Sequence, residues 1–252
     1  MIELKGNKMP ENLRHKQILE ILANLGTVSV KGLTKELYVS EATIRRDLTE
    51  LEKIGALKRV FGGARPILET NKQVPLFIRG SVDSIAKNEI CRRAAELVKD
   101  GDSIFIDGSS TAQYLAKHLS KFKDIVVVTY SIKTAEITST NHIKTYCTGG
   151  LIMENSLVCI GPDATDFSSK INVDICFMSC KGLDENGNFS DTSQEETAIR
   201  RAFLQKSKKK VFLITNNKLG NTYFHTLCNA KEVDFIFSDG PIPSTIKTKN
   251  DL

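Results

Sequence analysis

Residues 39–48 of this 252-residue chain read VSEATIRRDL, and this stretch determines the character of the first quarter of the molecule. Ser40 is a favourable N-cap residue, and Glu41 after it suits the positive end of a helix dipole. Ile44 and Leu48 recur at helical spacing, so both are expected to face inward. The two arginines between them then face outward. The stretch therefore predicts a helix with one apolar and one basic face.

Two further helices are predicted upstream of this basic helix, and a hairpin downstream of it. Apolar residues at positions 18, 22 and 25 predict a helix over residues 14–25, and Ser29 caps a shorter one. Gly62 and Gly63 separate two short extended segments, which is typical of a hairpin. Helix, short helix, tight turn, basic helix and hairpin together predict a winged helix-turn-helix.

The outward side of the basic helix and the hairpin form a candidate DNA-binding surface. A recognition helix places its N-terminal residues at base edges in the major groove, where arginine can donate two hydrogen bonds to guanine. Basic residues beside the hairpin can reach phosphates or the minor groove. Residues 1–68 carry a net charge of +4, against +1 for the remainder, which fits a polyanionic partner. The predicted DNA-binding residues are Ser40, Ala42, Thr43, Arg45, Arg46, Thr49, Lys58, Arg59 and Arg65.

Composition excludes several other classes of protein. Apolar residues make up 40% and charged residues 26%, which rules out a disordered or collagen-like chain. No apolar run is long enough to span a membrane, and residues 1–10 lack a signal-peptide core, so a cytoplasmic protein without membrane contact is expected. The six cysteines form no Cys-x-x-Cys pair and the four histidines are scattered. We therefore expect no metal or cofactor, and cysteines that act as buried apolar residues.

After a connector the pattern changes to short apolar runs that alternate with helical segments. Continuous apolar strands between amphipathic helices indicate a mostly parallel sheet covered on both faces, and hence an α/β domain. The runs lie at residues 104–106, 125–128, 143–147, 175–178, 211–214 and 235–237.

Ligands of such sheets bind beyond the carboxyl ends of the strands. The loop over residues 107–111, DGSST, follows the first run directly before a predicted helix. Its small residues and hydroxyls, with the helix N-terminus, suit a phosphate group. Lysines and glycines follow other strands of the sheet. The predicted effector-binding residues are Asp107, Gly108, Ser109, Ser110, Thr111, Thr129, Gly149, Gly150, Lys181, Gly182 and Lys218.

Two parts of the chain resemble a known family. The run from His15 to Ala64, above all residues 39–48 and the Phe-Gly-Gly-Ala of residues 61–64, resembles the DNA-binding domain of DeoR-family bacterial transcriptional regulators. The part from Pro75 to Asp239 is similar to the family's sensor domain. The resemblance implies that the sensor domain has a fold similar to ribose-5-phosphate isomerase and that the protein is a transcriptional regulator, most often a repressor in this family. It also implies double-stranded operator DNA and a phosphorylated sugar as partners, and assembly as a homodimer or homotetramer.

These observations predict four segments: a winged helix-turn-helix over residues 12–68, a linker over 69–82, a sugar-phosphate-sensing domain over 83–240 and a tail over 241–252. Three residues depart from the family pattern. Phe61 stands where histidine is usual, Tyr130 where asparagine is common, and Asn216 where aspartate is common. The last two lie near the expected ligand, so the identity of the effector stays open.

Two other functions are compatible with the sequence. A sugar-phosphate isomerase or deaminase with an accessory DNA-binding domain would need a general base, for which the available carboxylates are Asp107, Asp184, Glu195 and Glu196. A DNA-binding protein without an effector is the third possibility.

Overall fold

A computed structural model of the chain describes residues 11–65 and 75–251. These residues form two compact units that divide between Val82 and Asp83. Residues 66–68 of the predicted first domain and 69–74 of the predicted linker lie outside the described residues. Among the described residues, no helix is both long and apolar enough to cross a bilayer.

The first unit is a winged helix-turn-helix, as the sequence predicts. Ser29 Oγ accepts the Gly32 N–H at 3.0 Å, and Ser40 Oγ accepts the Thr43 N–H at 3.2 Å, so both predicted N-caps are confirmed. At Gly63 a Cβ would lie 1.9 Å from the Val28 carbonyl oxygen, which requires glycine in the hairpin. The elements are α1 (Glu11–Leu25), β1 (Val28–Ser29), α2 (Val30–Leu37), α3 (Glu41–Lys53), β2 (Lys58–Val60), β3 (Gly63–Arg65) and α4 (Leu76–Ser81), and the antiparallel sheet has the order β1-β3-β2.

Helix α4 lies within the segment that the sequence predicts as a linker. Its Ile78 is 3% exposed and belongs to the same apolar core as Leu48 of α3. The segment has a proline and no clear apolar period, so nothing local indicated a helix there. Burial of its apolar side chains Leu76 and Ile78, which depends on contacts with distant residues, is the physical reason for this difference.

The second unit contains a six-stranded sheet in which every neighbouring pair is parallel, which confirms the predicted α/β class. Its strands, in spatial order, are β14 (Phe235–Ser238), β12 (Ser207–Ile214), β9 (Val173–Met178), β4 (Ser103–Ile106), β5 (Val126–Thr129) and β6 (Lys144–Cys147). Because all strands run in one direction, the loops after them lie along one edge of the sheet, here called the carboxyl edge.

Side chains alternate between two apolar cores, one on each face of this sheet. Phe105 stacks on Phe203 with ring centroids 3.7 Å apart, while Ile104 and Ile106 pack in the other core with Ile90. Both faces are therefore buried, as expected for a parallel sheet. The α-helices are α5 (Ser84–Ala94), α6 (Ile132–Thr140), α7 (Pro162–Lys170) and α8 (Gln194–Lys206).

Smaller strands and 3-10 helices complete the second unit. An antiparallel hairpin is formed by β7 (Leu151–Met153) and β8 (Val158–Ile160), and a three-stranded sheet by β10 (Gly182–Leu183), β11 (Asn188–Asp191) and β13 (His225–Asn229). The 3-10 helices are Ala95–Leu97, Ala112–His118, Asn216–Lys218, Ala230–Glu232 and Lys249–Asp251.

Several local expectations differ from the structure. The helix predicted after residues 107–111 is a seven-residue 3-10 helix, too short for the expected dipole at its N-terminus. In α8 the inward face contains the buried Ile199 and Phe203, and Ala198 and Ala202 are half-buried. Within the predicted tail, Ile246 is 7% exposed and packs in the core.

Candidate nucleic-acid interface and effector site

Helix α3 presents the two arginines that the sequence predicts to read DNA bases. Both side chains are more than half exposed, and each forms an ion pair along the helix: Arg45 Nη2 lies 3.1 Å from Glu41 Oε2, and Arg46 Nε lies 3.5 Å from Glu50 Oε1. Exposed pairs of this kind contribute about 0.3–0.5 kcal/mol. Exchange of the carboxylate for a base edge or phosphate therefore costs the protein little.

The hairpin contributes basic groups beside this helix. Arg59 Nη1 donates to Thr49 Oγ1 at 2.8 Å, and that hydroxyl donates to the Arg45 carbonyl at 2.8 Å. Thr43 Oγ1 lies 2.9 Å from Ser40 Oγ within the helix cap. Four of the predicted residues, Ser40, Thr43, Thr49 and Arg59, thus have side-chain hydrogen bonds within the protein that would orient any contact with DNA. Of the other predicted residues, Ala42 and Lys58 are exposed and Arg65 is half-buried.

A buried ion pair lies on the inward side of α3. Arg14 Nε and Nη2 donate to the two carboxylate oxygens of Asp47, at 2.5 and 2.8 Å, and Asp47 is fully buried. His15 Nε2 lies 3.3 Å from Asp47 Oδ1 and 3.6 Å from Glu50 Oε2. His15, Asp47 and Glu50 have possible metal-ligand atoms within 4.8 Å of one another. The Arg14 guanidinium, however, already supplies the positive charge that a metal cation would bring.

In the second unit, Asp107 organises the centre of the carboxyl edge. Its Oδ1 accepts the Ser109 N–H at 2.9 Å and its Oδ2 the Ser179 N–H at 2.8 Å, so it joins the loop after β4 to the end of β9. Complete burial raises the pKa of Asp107, and the Arg200 guanidinium 4.0 Å away opposes that rise. Both oxygens serve the main chain, so this carboxylate positions the loop.

Two lysines converge on the hydroxyls of this loop. Lys218 Nζ lies 2.7 Å from Ser179 Oγ and 3.5 Å from Thr111 Oγ1. Lys87, on α5, is only 5% exposed and places its Nζ 3.4 Å from Ser110 Oγ. The loop over residues 107–111 is therefore flanked by two ammonium groups that lie close to consecutive hydroxyl residues.

Beside the loop lies a buried network around Arg200. Its Nη1 is 3.0 Å from Asp191 Oδ2 and its Nη2 is 3.8 Å from Glu196 Oε2, which also accepts the Tyr130 hydroxyl at 3.1 Å. Burial alone would raise the pKa of Asp191, but the near guanidinium brings it below its ordinary value. Burial raises the pKa of Tyr130 well above its ordinary value, so it acts as a hydrogen-bond donor. The network fixes α8 against the carboxyl edge.

The remaining predicted effector residues are arranged differently. Lys181 belongs to another group, with its Nζ 2.6 Å from Thr192 Oγ1 and 6.0 Å from the Tyr223 ring. Thr129 is buried within β5, where its hydroxyl accepts the Ser131 N–H at 3.1 Å. These side chains already have partners within the protein.

Three glycines of the predicted site have steric roles. A Cβ at Gly182 would lie 2.2 Å from the Asn221 carbonyl oxygen, and one at Gly150 would lie 2.5 Å from that of Ile160. Gly149 and Gly150 both have positive φ, +72° and +106°. The third, Gly108, packs against Tyr130, whose ring a Cβ would approach to 2.8 Å.

Among the charged or hydroxyl residues at these sites that were not predicted from the sequence are Asp47, Lys87, Ser179 and Arg200. Three of them follow a recognisable rule. Lys87 lies three residues before Ile90 on the apolar stripe of α5, and Asp47 and Arg200 occupy the same kind of inward position in α3 and α8. A charge within an apolar helical stripe therefore indicates a buried functional or structural ion.

A helix-turn-helix unit with exposed arginines, joined in sequence to an α/β unit with a cation-lined carboxyl edge, defines a transcriptional regulator. Residues 14–70 match the DeoR-like helix-turn-helix domain, and residues 83–240 match the DeoR C terminal sensor domain. The chain belongs to the DeoR family, which confirms the resemblance seen in the sequence.

Individual relatives agree with this assignment. The chain is 32% identical over 240 residues to the uncharacterized HTH-type transcriptional regulator YulB of Bacillus subtilis, covering 94% of this chain and 93% of the relative. It is 26% identical over 239 residues to the glycerol-3-phosphate regulon repressor of Escherichia coli, covering 94% of each. Both names are those of regulators, not enzymes. Ribose 5-phosphate isomerase A from Methanocaldococcus jannaschii superposes with a TM-score of 0.42 at 16% identity, over 54% of this chain and 55% of that one.

Proposed function

We propose that the protein is a repressor of a sugar-metabolism operon, and that a phosphorylated sugar bound to its C-terminal unit controls its affinity for operator DNA. The observation that carries this proposal is the convergence of Lys87 and Lys218 on the hydroxyls of Ser110 and Thr111. Ammonium groups, hydroxyls and main-chain N–H groups in a small-residue loop are the groups that bind phosphate. The relative named for a glycerol-3-phosphate regulon supports a phosphorylated effector.

The mechanism is a coupling of two binding sites. The effector favours one arrangement of a homodimer or homotetramer, and the spacing of two α3 helices in that arrangement no longer fits the operator half-sites. Coupling of this kind typically amounts to about 1–3 kcal/mol, or about 5–150-fold in affinity. Sedimentation of the free protein tests the assembly, and a monomer at working concentrations would contradict it.

Operator binding in the presence of candidate effectors tests the proposal. Fluorescence anisotropy of labelled operator DNA is measured with sugar phosphates, with the same sugars unphosphorylated, and with inorganic phosphate. We expect one or a few sugar phosphates to weaken binding by about 5–150-fold and the free sugars to have no effect. If a sugar phosphate tightened operator binding, it would be a co-repressor and not an inducer. If no sugar phosphate changed operator binding, the effector proposal would be overturned.

A matched pair of lysine variants locates the site. Lys218→Met removes the ammonium beside Thr111, whereas Lys208→Met removes one near the opposite end of β12, where Lys208 pairs with Asp174. We expect Lys218→Met to abolish the response to the effector while operator binding stays intact, and Lys208→Met to respond normally. Equal responses in the two variants would place the phosphate elsewhere.

A further inference from the structure

Two cysteines of the second unit lie in sulfur contact beside the Gly149-Gly150 loop. Cys147 ends β6 and is exposed, contrary to the expectation that the cysteines are buried, and Cys159 lies in β8 with 2% exposure. Their Sγ atoms are 3.9 Å apart. The other four cysteines, Cys91, Cys176, Cys180 and Cys228, are all buried.

We propose that Cys147 and Cys159 are a peroxide-sensitive thiol pair that closes to an intramolecular disulfide and thereby fixes the loop over residues 148–150. A disulfide requires the sulfurs to approach to about 2.05 Å, so they must move about 1.9 Å closer. The positive φ of Gly149, with no atom within 4 Å of a Cβ position there, leaves the intervening loop room to adjust.

The chemistry balances with peroxide as the oxidant. The exposed Cys147 thiolate attacks one peroxide oxygen, the O–O bond breaks, and hydroxide leaves to give a sulfenic acid. The Cys159 sulfur then attacks Cys147 Sγ, the S–O bond breaks, and the departing hydroxide takes up the Cys159 proton as water. Each sulfur loses one electron, and the peroxide is reduced to two waters.

The roles of the two cysteines follow from their surroundings. Cys147 is accessible to a small oxidant, while burial and the neighbouring Cys147 raise the pKa of Cys159 to about 11. Cys159 is therefore protonated at neutral pH and must lose its proton as it attacks Cys147 Sγ, so the rate of the second step should rise with pH. A main-chain hydrogen bond from Gly149 to the Cys159 thiol ties this sulfur to the loop.

Burial raises the pKa of each of the other four thiols, to about 12 for Cys91 and Cys180 and to about 11 for Cys176. These residues serve as internal controls that peroxide should leave reduced.

The experiment treats the reduced full-length protein with hydrogen peroxide, alkylates it, and analyses tryptic peptides without reduction. Cleavage after Lys144 and Lys170 leaves both cysteines in one peptide, and further cleavage after Glu154 separates them unless they are linked. We expect this peptide to be two hydrogens lighter and unalkylated, and a reductant to restore both thiols. Cys159→Ser should stop at an oxidised Cys147, and Cys147→Ser should leave Cys159 reduced.

Three results would overturn the proposal. They are a peptide that keeps both thiols, a Cys147 oxidised beyond sulfenic acid beside a reduced Cys159, and a Cys147 disulfide between two copies of the chain. Amide hydrogen exchange of residues 148–150 tests the fixing of the loop, and we expect it to slow several-fold on oxidation. Unchanged exchange in a protein shown to contain the disulfide would overturn that part. Neither measurement depends on the identity of the effector.

Discussion

Replacement of Arg14 by methionine should lower the free energy of unfolding of the DNA-binding unit far more than replacement of an exposed arginine does. At a separation of 2.8 Å and an effective dielectric constant near 20, the attraction between Arg14 and Asp47 is about 6 kcal/mol. Desolvation of two buried ions costs several kcal/mol each, so the pair contributes little net stability. Arg14→Met takes away both guanidinium hydrogen bonds of the fully buried Asp47 carboxylate and leaves it only the 3.3 Å contact with His15 Nε2. The expected loss in the free energy of unfolding is about 3–5 kcal/mol.

The double variant Arg14→Met, Asp47→Leu should recover most of this loss, because it removes both desolvated ions and fills the space with apolar atoms. Arg46→Met is the matched control on α3; Arg46 is exposed and its partner Glu50 is only half-buried, so a change within about 0.5 kcal/mol is expected. The chain has no tryptophan, so native-state hydrogen exchange of α1 and α3 amides is the suitable assay.

A loss of less than about 1 kcal/mol in Arg14→Met, or additive losses in the double variant, would refute this reasoning. Operator affinity of the double variant should stay close to that of the unmodified protein, since the buried pair supports α3 without contact to DNA. A large loss of affinity in a fully folded double variant would instead assign Asp47 or Arg14 a direct part in recognition.

Arg45→Ala should cost about 1–3 kcal/mol in operator binding and relax specificity at one base, whereas Lys58→Ala should weaken all DNA sequences equally and reduce the salt slope by about one. Anisotropy titrations at several salt concentrations measure both, and full specificity in an Arg45→Ala, Arg46→Ala variant would exclude α3 as the reading helix. The hydrogen bond from Lys208 has the largest effect on the pKa of Asp174, and together with the hydrogen bonds from Ser103 it lowers that pKa to about 2. Asp174→Asn should therefore cost about 1 kcal/mol above about pH 5, after allowance for exposure. The cost should shrink as pH falls through the folded pKa near 2, because the carboxylate is then protonated in both states; urea unfolding across that range measures it.

Local features of the fold were predictable because short-range physics determines them. The N-cap at Ser40 and the inward stripe of Ile44 and Leu48 follow from residue type and spacing alone, and the structure confirms them. Most of the parallel strands were predictable because they contain short continuous apolar runs, as in β4 and β5; the edge strand β6 is mostly polar and exposed. The hairpin β7–β8 and the helix α4 were not predicted, because their few apolar residues show no clear period and gain stability only through contact with distant parts of the chain.

The candidate effector site divides in the same way. The sequence alone determined that the loop over residues 107–111 follows a strand and that Lys218 follows another, and parallel topology places both at the carboxyl edge. Only the tertiary structure decided that Lys87, Ser179 and Arg200 join them while Lys181 pairs with Thr192.

The physical reason is that the sequence indicates which way a residue faces but not which other residue it pairs with. Periodicity shows that a charged residue such as Asp47 faces inward, since that depends only on the geometry of its own helix. Its partner Arg14 lies 33 residues away, and the choice among all possible counter-ions depends on which helices pack and at what distance. Hydrogen bonds and ion pairs act over a few ångströms in space without regard to separation along the chain, so the sequence determined the elements and the tertiary packing decided the pairs.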